Sequence, residues 1–281
     1  MMPAAHEIHA RLKSFYNRET AYYEEASATN RQLSPERARL FGWIHPEDRV
    51  LDVGCGTCEN GVHLKGRARY FGADISFVGL HMATAALPPG TCRLAQAESQ
   101  QLPFASNSFD VVLSTYALEH FVFPLHSLDE MWRVCRPGGR VLLISPAYDH
   151  PWFLPPSTSH WTRAERGWLI LGQTARQFLR HFRPRHFDFA RVSRPRVLFE
   201  TYRSDFDAVH LVSAREVGNF FRAKGAVFLF ENKRAPRPAG APARPGRNPL
   251  REWLRDIALR AGWGEHAGLN LQLVVAKPGA E

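Results

Sequence analysis

From Arg49 onward the chain falls into short apolar blocks separated by amphipathic stretches, the alternation expected of strands and helices in turn. Arg49 to Val53 reads as a short buried strand and runs straight into Gly54-Cys55-Gly56-Thr57. A helical stretch over Asn60 to Lys65 precedes a second strand, Tyr70 to Ile75, that carries an aspartate at its end. Phe77 to Ala86 has a helical pattern and stops at Pro88-Pro89-Gly90, a strong breaker. Thr91 to Ala97 suits a third strand, Phe109 to Ser114 a fourth, Leu125 to Cys135 a helix, and Arg140 to Ser145 a fifth strand after a turn at Pro137-Gly138-Gly139. Ahead of this series, Ile8, Leu12, Phe15, Tyr16, Tyr22 and Tyr23 give residues 5–33 the spacing of one or two amphipathic helices. After Ser145 the pattern lapses: Pro146 to His210 is rich in aromatics, prolines, histidines and arginines, with little clear periodicity. Val212 to Lys224 then reads as a helix, Gly225 to Glu231 as a strand, Lys233 to Arg247 as a Pro/Ala/Arg linker, Pro249 to Arg260 as a short helix and Leu269 to Ala276 as a last strand.

Strands alternating with helices at this spacing predict a parallel sheet covered on both faces. In such sheets a ligand sits beyond the carboxyl ends of the strands, near the point where strand order reverses. Gly54 to Thr57, Asp74, Glu98 and the segment Ser114 to His120 then converge on one crevice.

The glycine turn narrows the choice of ligand. Glycine at 54 and 56 admits close approach to the backbone. A dinucleotide fingerprint asks for a third glycine three residues later, where pyrophosphate meets a helix N-terminus, and this chain has Glu59 there. Asp52, at the end of the first strand, likewise suits a cationic ligand better than a phosphate. Asp74, 22 residues further on, is placed to take both hydroxyls of a ribose. An N-cap for the helix that follows is the structural alternative for Asp74.

These segments belong to a longer set. Val50 to Thr57, Gly72-Ala73-Asp74, Leu102-Pro103-Phe104, Phe109-Asp110-Val111-Val112, Ala117-Leu118-Glu119-His120 and Arg133 to Gly139 occur in order. Together they resemble the class I S-adenosylmethionine-dependent methyltransferases, in the branch of quinone-biosynthesis and small-molecule enzymes, strongly over residues 40–146 and weakly in the last strands. The resemblance implies a Rossmann-like α/β fold with a seven-stranded, mostly parallel sheet, helices on both faces and a cap inserted after the fifth strand. It also implies S-adenosyl-L-methionine as cofactor. Asp52, Gly54, Cys55 and Gly56 match the loop for its methionine part, and Asp74 matches the ribose acid. Glu98 stands where the family has the acid that meets the adenine amino group, Ile75 and Ser99 would flank the adenine, and Ser114 and Thr115 match the strand end beside the methionine portion. His120 is the candidate general base for the acceptor's proton; a structural Glu119-His120 pair is the alternative.

The expected division is an N-terminal helical segment (1–40), a cofactor-binding core (41–146), an inserted acceptor cap (147–210) and a C-terminal completion of the sheet (211–281) with the Pro/Arg-rich linker at 233–247. Trp152, Phe153, His160, Trp161, Trp168, Tyr202 and His210 are expected either to line an aromatic acceptor pocket or to form the cap's own core.

Charge widens the field of acceptors. Lys plus Arg total 36 against 27 Asp plus Glu, a net charge of +9. From Arg163 to Arg203 ten arginines face three acids. Such a balance favours anionic partners. The expected acceptor is a small molecule, anionic or glycan-linked, methylated at oxygen. Methylation of RNA or another polyanion, a non-catalytic S-adenosylmethionine-binding module and NAD-dependent oxidoreduction are the rivals. Cys55 and Cys58 form a CxxC without a second pair nearby, so packing is expected rather than a metal. The first residues lack a signal-peptide core, and uninterrupted apolar runs such as Val141 to Ile144 are far short of a membrane span. A soluble, cytoplasmic protein is the expectation.

Overall fold

Alternation within the strands already fixes two packed faces. A computed structural model describes residues 5–88, 90, 92–149, 154–182, 189–192, 195, 207–233, 249–260 and 270–279. Strands β1 (Arg49–Val53), β2 (Arg69–Asp74), β3 (Cys92–Gln96), β4 (Phe109–Thr115), β5 (Cys135–Ser145), β8 (Val227–Glu231) and β9 (Leu271–Ala276) form one sheet in the order β3-β2-β1-β4-β5-β9-β8. The first five are mutually parallel, and β9 runs antiparallel to both β5 and β8. Leu51, Val53, Val112, Leu143 and Leu273 point to one buried cluster, whereas Val50, Val111, Leu113, Ile144 and Val274 point to the other. Both faces of the central strands are thus sealed from water, as parallel sheets require.

Helices supply the two covers. Helix α6 (Pro124–Val134) and helix α8 (Ala214–Ala223) bury Leu128, Met131, Val217 and Phe221 against the first face. Helices α3 (Pro35–Phe41), α4 (Glu59–Leu64) and α5 (Phe77–Ala86) bury Leu40, Leu64 and Leu80 against the second. Ser34, Ser76 and Ser213 each accept a hydrogen bond from a first-turn amide of the helix that follows, which sets where α3, α5 and α8 begin. Between β1 and β4 the order of connection reverses, so the crevice opens beyond their carboxyl ends.

Two features differ from the sequence expectation. The predicted turn at Pro137-Gly138-Gly139 lies inside β5 as a bulge: Cys135 pairs with Phe109, and pairing resumes at Arg140 with Val111. The bulge is held from outside, by Gly138 N–H on Lys277 O, Lys277 N–H on Gly139 O and the Arg136–Asp110 ion pair at 2.5 Å. The segment of little periodicity after β5 contains a 20-residue helix, α7 (Arg163–Phe182). Its apolar residues recur at Ala164, Trp168, Leu171 and Ala175, a helical spacing that the reading of the segment as a whole passed over. Residues 5–33 hold two helices, α1 (Ala5–Tyr16) and α2 (Thr20–Asn30), as their spacing predicts, and these reach over the crevice.

The two short strands β6 (Ala190–Arg191) and β7 (His210–Leu211) pair with each other and pack with Tyr148 and Val192. Helix α9 (Pro249–Arg260) precedes β9. Of the expected cap aromatics, Trp152, Phe153 and Tyr202 lie outside the described residues, as does all of the linker beyond Lys233.

Lys277 ties the end of β9 to the bulge, with Nζ donating to Asn107 Oδ1 (2.9 Å), Trp132 O (2.9 Å) and Cys135 O (2.8 Å). Lys277→Met leaves those acceptors without their charged donor. Thermal or urea unfolding should show a loss of about 1–3 kcal/mol, with binding of S-adenosylhomocysteine unchanged.

Candidate active site

Strand β1 ends in Val53-Gly54, and the chain then turns back over its own strand end. Gly54 and Cys55 N–H both donate to Ala73 O on β2 (2.8 and 3.2 Å). Gly54 has φ +77°, and a Cβ there would meet the Ala117 Cβ at 2.6 Å, so glycine is required on two counts. Gly56, with φ +51°, is different: an added Cβ would find nothing nearer than the Tyr23 ring at 3.9 Å, which leaves its face of the loop open to a ligand.

Two carboxylates stand at the ends of β1 and β2. Asp74 is gripped by backbone: Gly56 N–H donates to Oδ2 (2.8 Å) and Ser76 N–H to Oδ1 (2.9 Å). Burial raises its pKa, opposed by those backbone hydrogen bonds. Asp52 is fully buried, and Oδ2 accepts from Tyr70 OH (2.6 Å) and Asn60 Nδ2 (3.0 Å). Its Oδ1 is buried without a hydrogen-bond partner. Burial pushes the Asp52 carboxyl up to about 6, against the pull of Tyr70 and Asn60.

The cleft beyond these strand ends encloses about 1140 Å³, counting the solvent at its mouth. Gly54, Cys55, Gly56, Asp74, Ile75, Ser99, Thr115 and His120 line it, all of them candidates from the sequence. Three others do not. Asp52 reaches it by way of Asn60, which lines the cleft and also donates to Thr115 Oγ1 (2.8 Å). Ser114 is buried and donates to Val53 O (2.8 Å), bracing β1 against β4. Glu98 turns to α1, where its carboxylate meets Lys13 Nζ at 2.7 Å and His9 Nε2 at 3.2 Å; the Lys13 hydrogen bond lowers its pKa.

Much of the lining was not visible in the sequence motifs. Leu12, Tyr16, Tyr22 and Tyr23 form the roof from α1 and α2. Arg37 of α3 lines the cleft with its guanidinium buried; Nη1 donates to Asn60 Oδ1 (3.3 Å) and Nη2 to the carbonyls of Asn30 (2.6 Å) and Gln32, while Nε is buried without a partner. Nothing in the sequence around Arg37 marks it apart from its place in the first turn of a capped helix. The described aromatics of the expected cap do not line the cleft. Trp161 packs near Tyr148, Trp168 is exposed, His210 is buried with Nε2 3.1 Å from Val122 O, and His160 contacts Trp161. The roof tyrosines occupy the place assigned to them, because α1 is fastened down by Glu98, by Asn17 and by Ser76 Oγ, which donates to Tyr16 O (2.6 Å).

His120 stands beside two carboxylates. Nδ1 lies 3.2 Å from Asp207 Oδ2, and Nε2 lies 3.6 Å from Glu119 Oε1. Asp207 is fully buried and its Oδ2 also accepts from Tyr16 OH (2.7 Å). Asp207 carries no sequence signature, since it meets His120 only through the fold. Cys55 and Cys58 are both buried with Sγ atoms 3.5 Å apart, and both pack in the second apolar cluster. Burial pushes the Cys55 thiol up to about 11.

The donor set fits a ligand that carries an ammonium, a carboxylate and a vicinal diol. An unpartnered carboxylate oxygen, an unpartnered guanidinium nitrogen and a strand-end carboxylate lie in or against one cleft. The fold is a doubly wound α/β domain with its cleft at the switch point of the sheet. Comparison with known proteins narrows the class. A family model described as a methyltransferase domain matches residues 51–143. A demethylmenaquinone methyltransferase of Deinococcus radiodurans is 30% identical over 146 residues, 50% of this chain and 54% of the relative. An O-methyltransferase of Penicillium expansum is 31% identical over 110 residues, 37% of this chain and 40% of the relative. The chain thus spans about half the length, or less, of these curated relatives. Among solved structures, the 1,6-didemethyltoxoflavin-N1-methyltransferase of Burkholderia thailandensis, with S-adenosylhomocysteine bound, shares the fold at a TM-score of 0.57 and 15% identity, over 99% of this chain and 92% of that one. Residues 51–143 are thus similar to a methyltransferase domain, within a fold that S-adenosylmethionine-dependent methyltransferases share.

The Asp52 carboxyl has a pH consequence. Its pKa is higher in the fold, about 6, than the ordinary 3.8, so the stability it contributes when protonated is lost as pH rises from about 4 through 6. A bound ammonium favours the ionised form. Calorimetry should therefore find that affinity for S-adenosylhomocysteine weakens below pH 6, approaching about tenfold per pH unit. In Asp52→Asn this component should be absent, binding should be weaker at pH 7.5, and the rise in melting temperature between pH 7 and 5 should be smaller.

Proposed function

We propose that this chain transfers the methyl group of S-adenosylmethionine to an oxygen of a small-molecule or glycan-linked acceptor held under α1 and α2. The observation that carries the reading is the pairing of a buried and a half-buried strand-end carboxylate with a tyrosine-roofed cleft. The named activities of the relatives, on demethylmenaquinone and at oxygen, support a small acceptor.

When bound, S-adenosylmethionine supplies a methyl carbon on a positively charged sulfur, open to in-line attack. On the protein side, Asn60 meets the ammonium end, backed by the buried charge of Asp52, and Arg37 takes the carboxylate. Asp74 takes the ribose hydroxyls, Ile75 and Ser99 flank the adenine, and the Gly54-Cys55-Gly56 loop and Thr115 lie along the methionine portion. Ser114 braces the strand end. Glu98 acts through α1, holding the roof over the adenine side. His120 takes the proton of the acceptor hydroxyl, and Asp207 orients the ring; a proton on that ring is balanced by the carboxylates of Asp207 and Glu119. In-line positioning under the roof supplies much of the remaining rate. In this division residues 41–146 bind the cofactor, 1–40 roof it, 147–210 flank the acceptor side and contribute Asp207's neighbourhood, and 211–281 complete the sheet.

The test is incubation with labelled S-adenosylmethionine and fractionated cell extract, followed by mass identification of the labelled product. A small hydroxylated compound bearing the label is expected. Label on RNA alone, or on no product, overturns the acceptor class. Asp74→Asn should weaken S-adenosylhomocysteine binding about 10–100-fold by calorimetry, through loss of the charged acceptor.

Once a product is known, Asp207→Asn should lower kcat and shift the acid limb of the rate–pH profile, with the KM for S-adenosylmethionine little changed. His120→Gln should abolish that limb. Equal losses in kcat and in cofactor affinity would mark Asp207 as structural only.

A further inference from the structure

Helix α7 turns its apolar stripe outward. Inward, Leu169 packs with Trp161 near Tyr148, Ala190, Val192 and Leu211, and Gln173 is buried. Outward, Ala164, Trp168, Leu171 and Ala175 follow the spacing i, i+4, i+7, i+11 and are all exposed. Trp168 is 73% exposed and Leu171 57%. A surface helix normally turns polar residues to that side. Helix α9 repeats the arrangement: Leu250, Trp253 and Ile257 are 62, 57 and 45% exposed at i, i+3 and i+7, while Asp256 and Leu259 are buried.

Arginines accompany both stripes. Arg163 and Arg176 of α7 and Arg260 of α9 are exposed. Over Arg163–Phe182 the sequence sets four arginines against one acid, Glu165. Both helices also join the sheet at the same end. The chain leaves β5 at Ser145 toward α7 and enters β9 at Leu271 from α9, and these two residues are register partners. That end carries the carboxyl termini of β1, β2 and β4, where the cleft opens.

We propose that the outer stripes of α7 and α9 dock onto an anionic lipid bilayer. The indoles and aliphatic side chains enter the headgroup boundary, and the arginines lie against lipid phosphates. No helix among the described residues is long and apolar enough to cross a membrane, so these helices lie in its plane. Charge selects this occupant over a second copy of the chain: two copies, each at +9, would bring like charges together, whereas anionic lipid complements them. The inference does not rest on methyl transfer, because lipid binding is read without cofactor.

Flotation of the full chain with phosphatidylcholine vesicles, with and without phosphatidylglycerol, tests it. Binding is expected on the anionic vesicles, weakening at high salt, and not on the neutral ones. Trp168→Glu with Leu171→Glu, and separately Trp253→Glu with Ile257→Glu, should each lower vesicle binding about tenfold or more. These positions are exposed, so melting temperature and S-adenosylhomocysteine binding should stay unchanged. Absence of flotation at low salt overturns the proposal, as does flotation unaffected by either pair of substitutions. A concentration-dependent dimer, or a co-purifying protein, that is lost in the variants while vesicles are ignored also overturns it, and makes the stripes a protein interface.

Discussion

One buried and one half-buried carboxylate at the tips of neighbouring strands set the terms for the rest of this molecule. Asp52 and Asp74 sit where β1 and β2 end, and burial raises both pKa values. Such groups are unfavourable as anions unless something charged or well aligned answers them. Backbone amides of Gly56 and Ser76 answer Asp74, and Tyr70 and Asn60 answer one oxygen of Asp52. The other oxygen of Asp52 has no partner within the chain. The glycine turn brings the Gly56 amide to Asp74, and α4 brings Asn60 to Asp52.

The roof shows how distant segments share one task. Tyr16 of α1 donates to Asp207, 191 residues away, and Asp207 in turn faces His120 after β4. The Lys13–Glu98 pair and Asn17, which accepts from Phe77 N–H, fasten α1 across the ends of β2 and β3. Because the tyrosines exclude water, each electrostatic contact below them is stronger than it would be at an open surface. Helix α7 is the counterpart on the outside: satisfied on its inner side by Leu169 and Trp161, it leaves its apolar stripe facing solvent among arginines.

Local pattern alone determined the sheet, because buried parallel strands must be apolar on both faces and must end in turns of special geometry. Val50 to Thr57 and Phe109 to Ser114 therefore announced both the strands and the crevice at their ends, and Asp52, Gly54 and Asp74 could be named in advance. What the pattern did not contain was anything that depends on segments meeting across the fold. Arg37, Asn60, Tyr16 and Asp207 have no spacing that relates them, yet they converge on the same cleft or on His120. Glu98 stood at the expected position in sequence but turned to Lys13, since a neighbouring cation outside the motif competes for a flexible carboxylate. Helix α7 escaped notice because its apolar spacing, Ala164, Trp168, Leu171 and Ala175, is embedded in a segment dense in arginines, prolines and other aromatics. Sequence thus settles what each backbone segment becomes through short-range sterics and burial, whereas the partners of each charged side chain are decided by distances that exist only once the chain has folded.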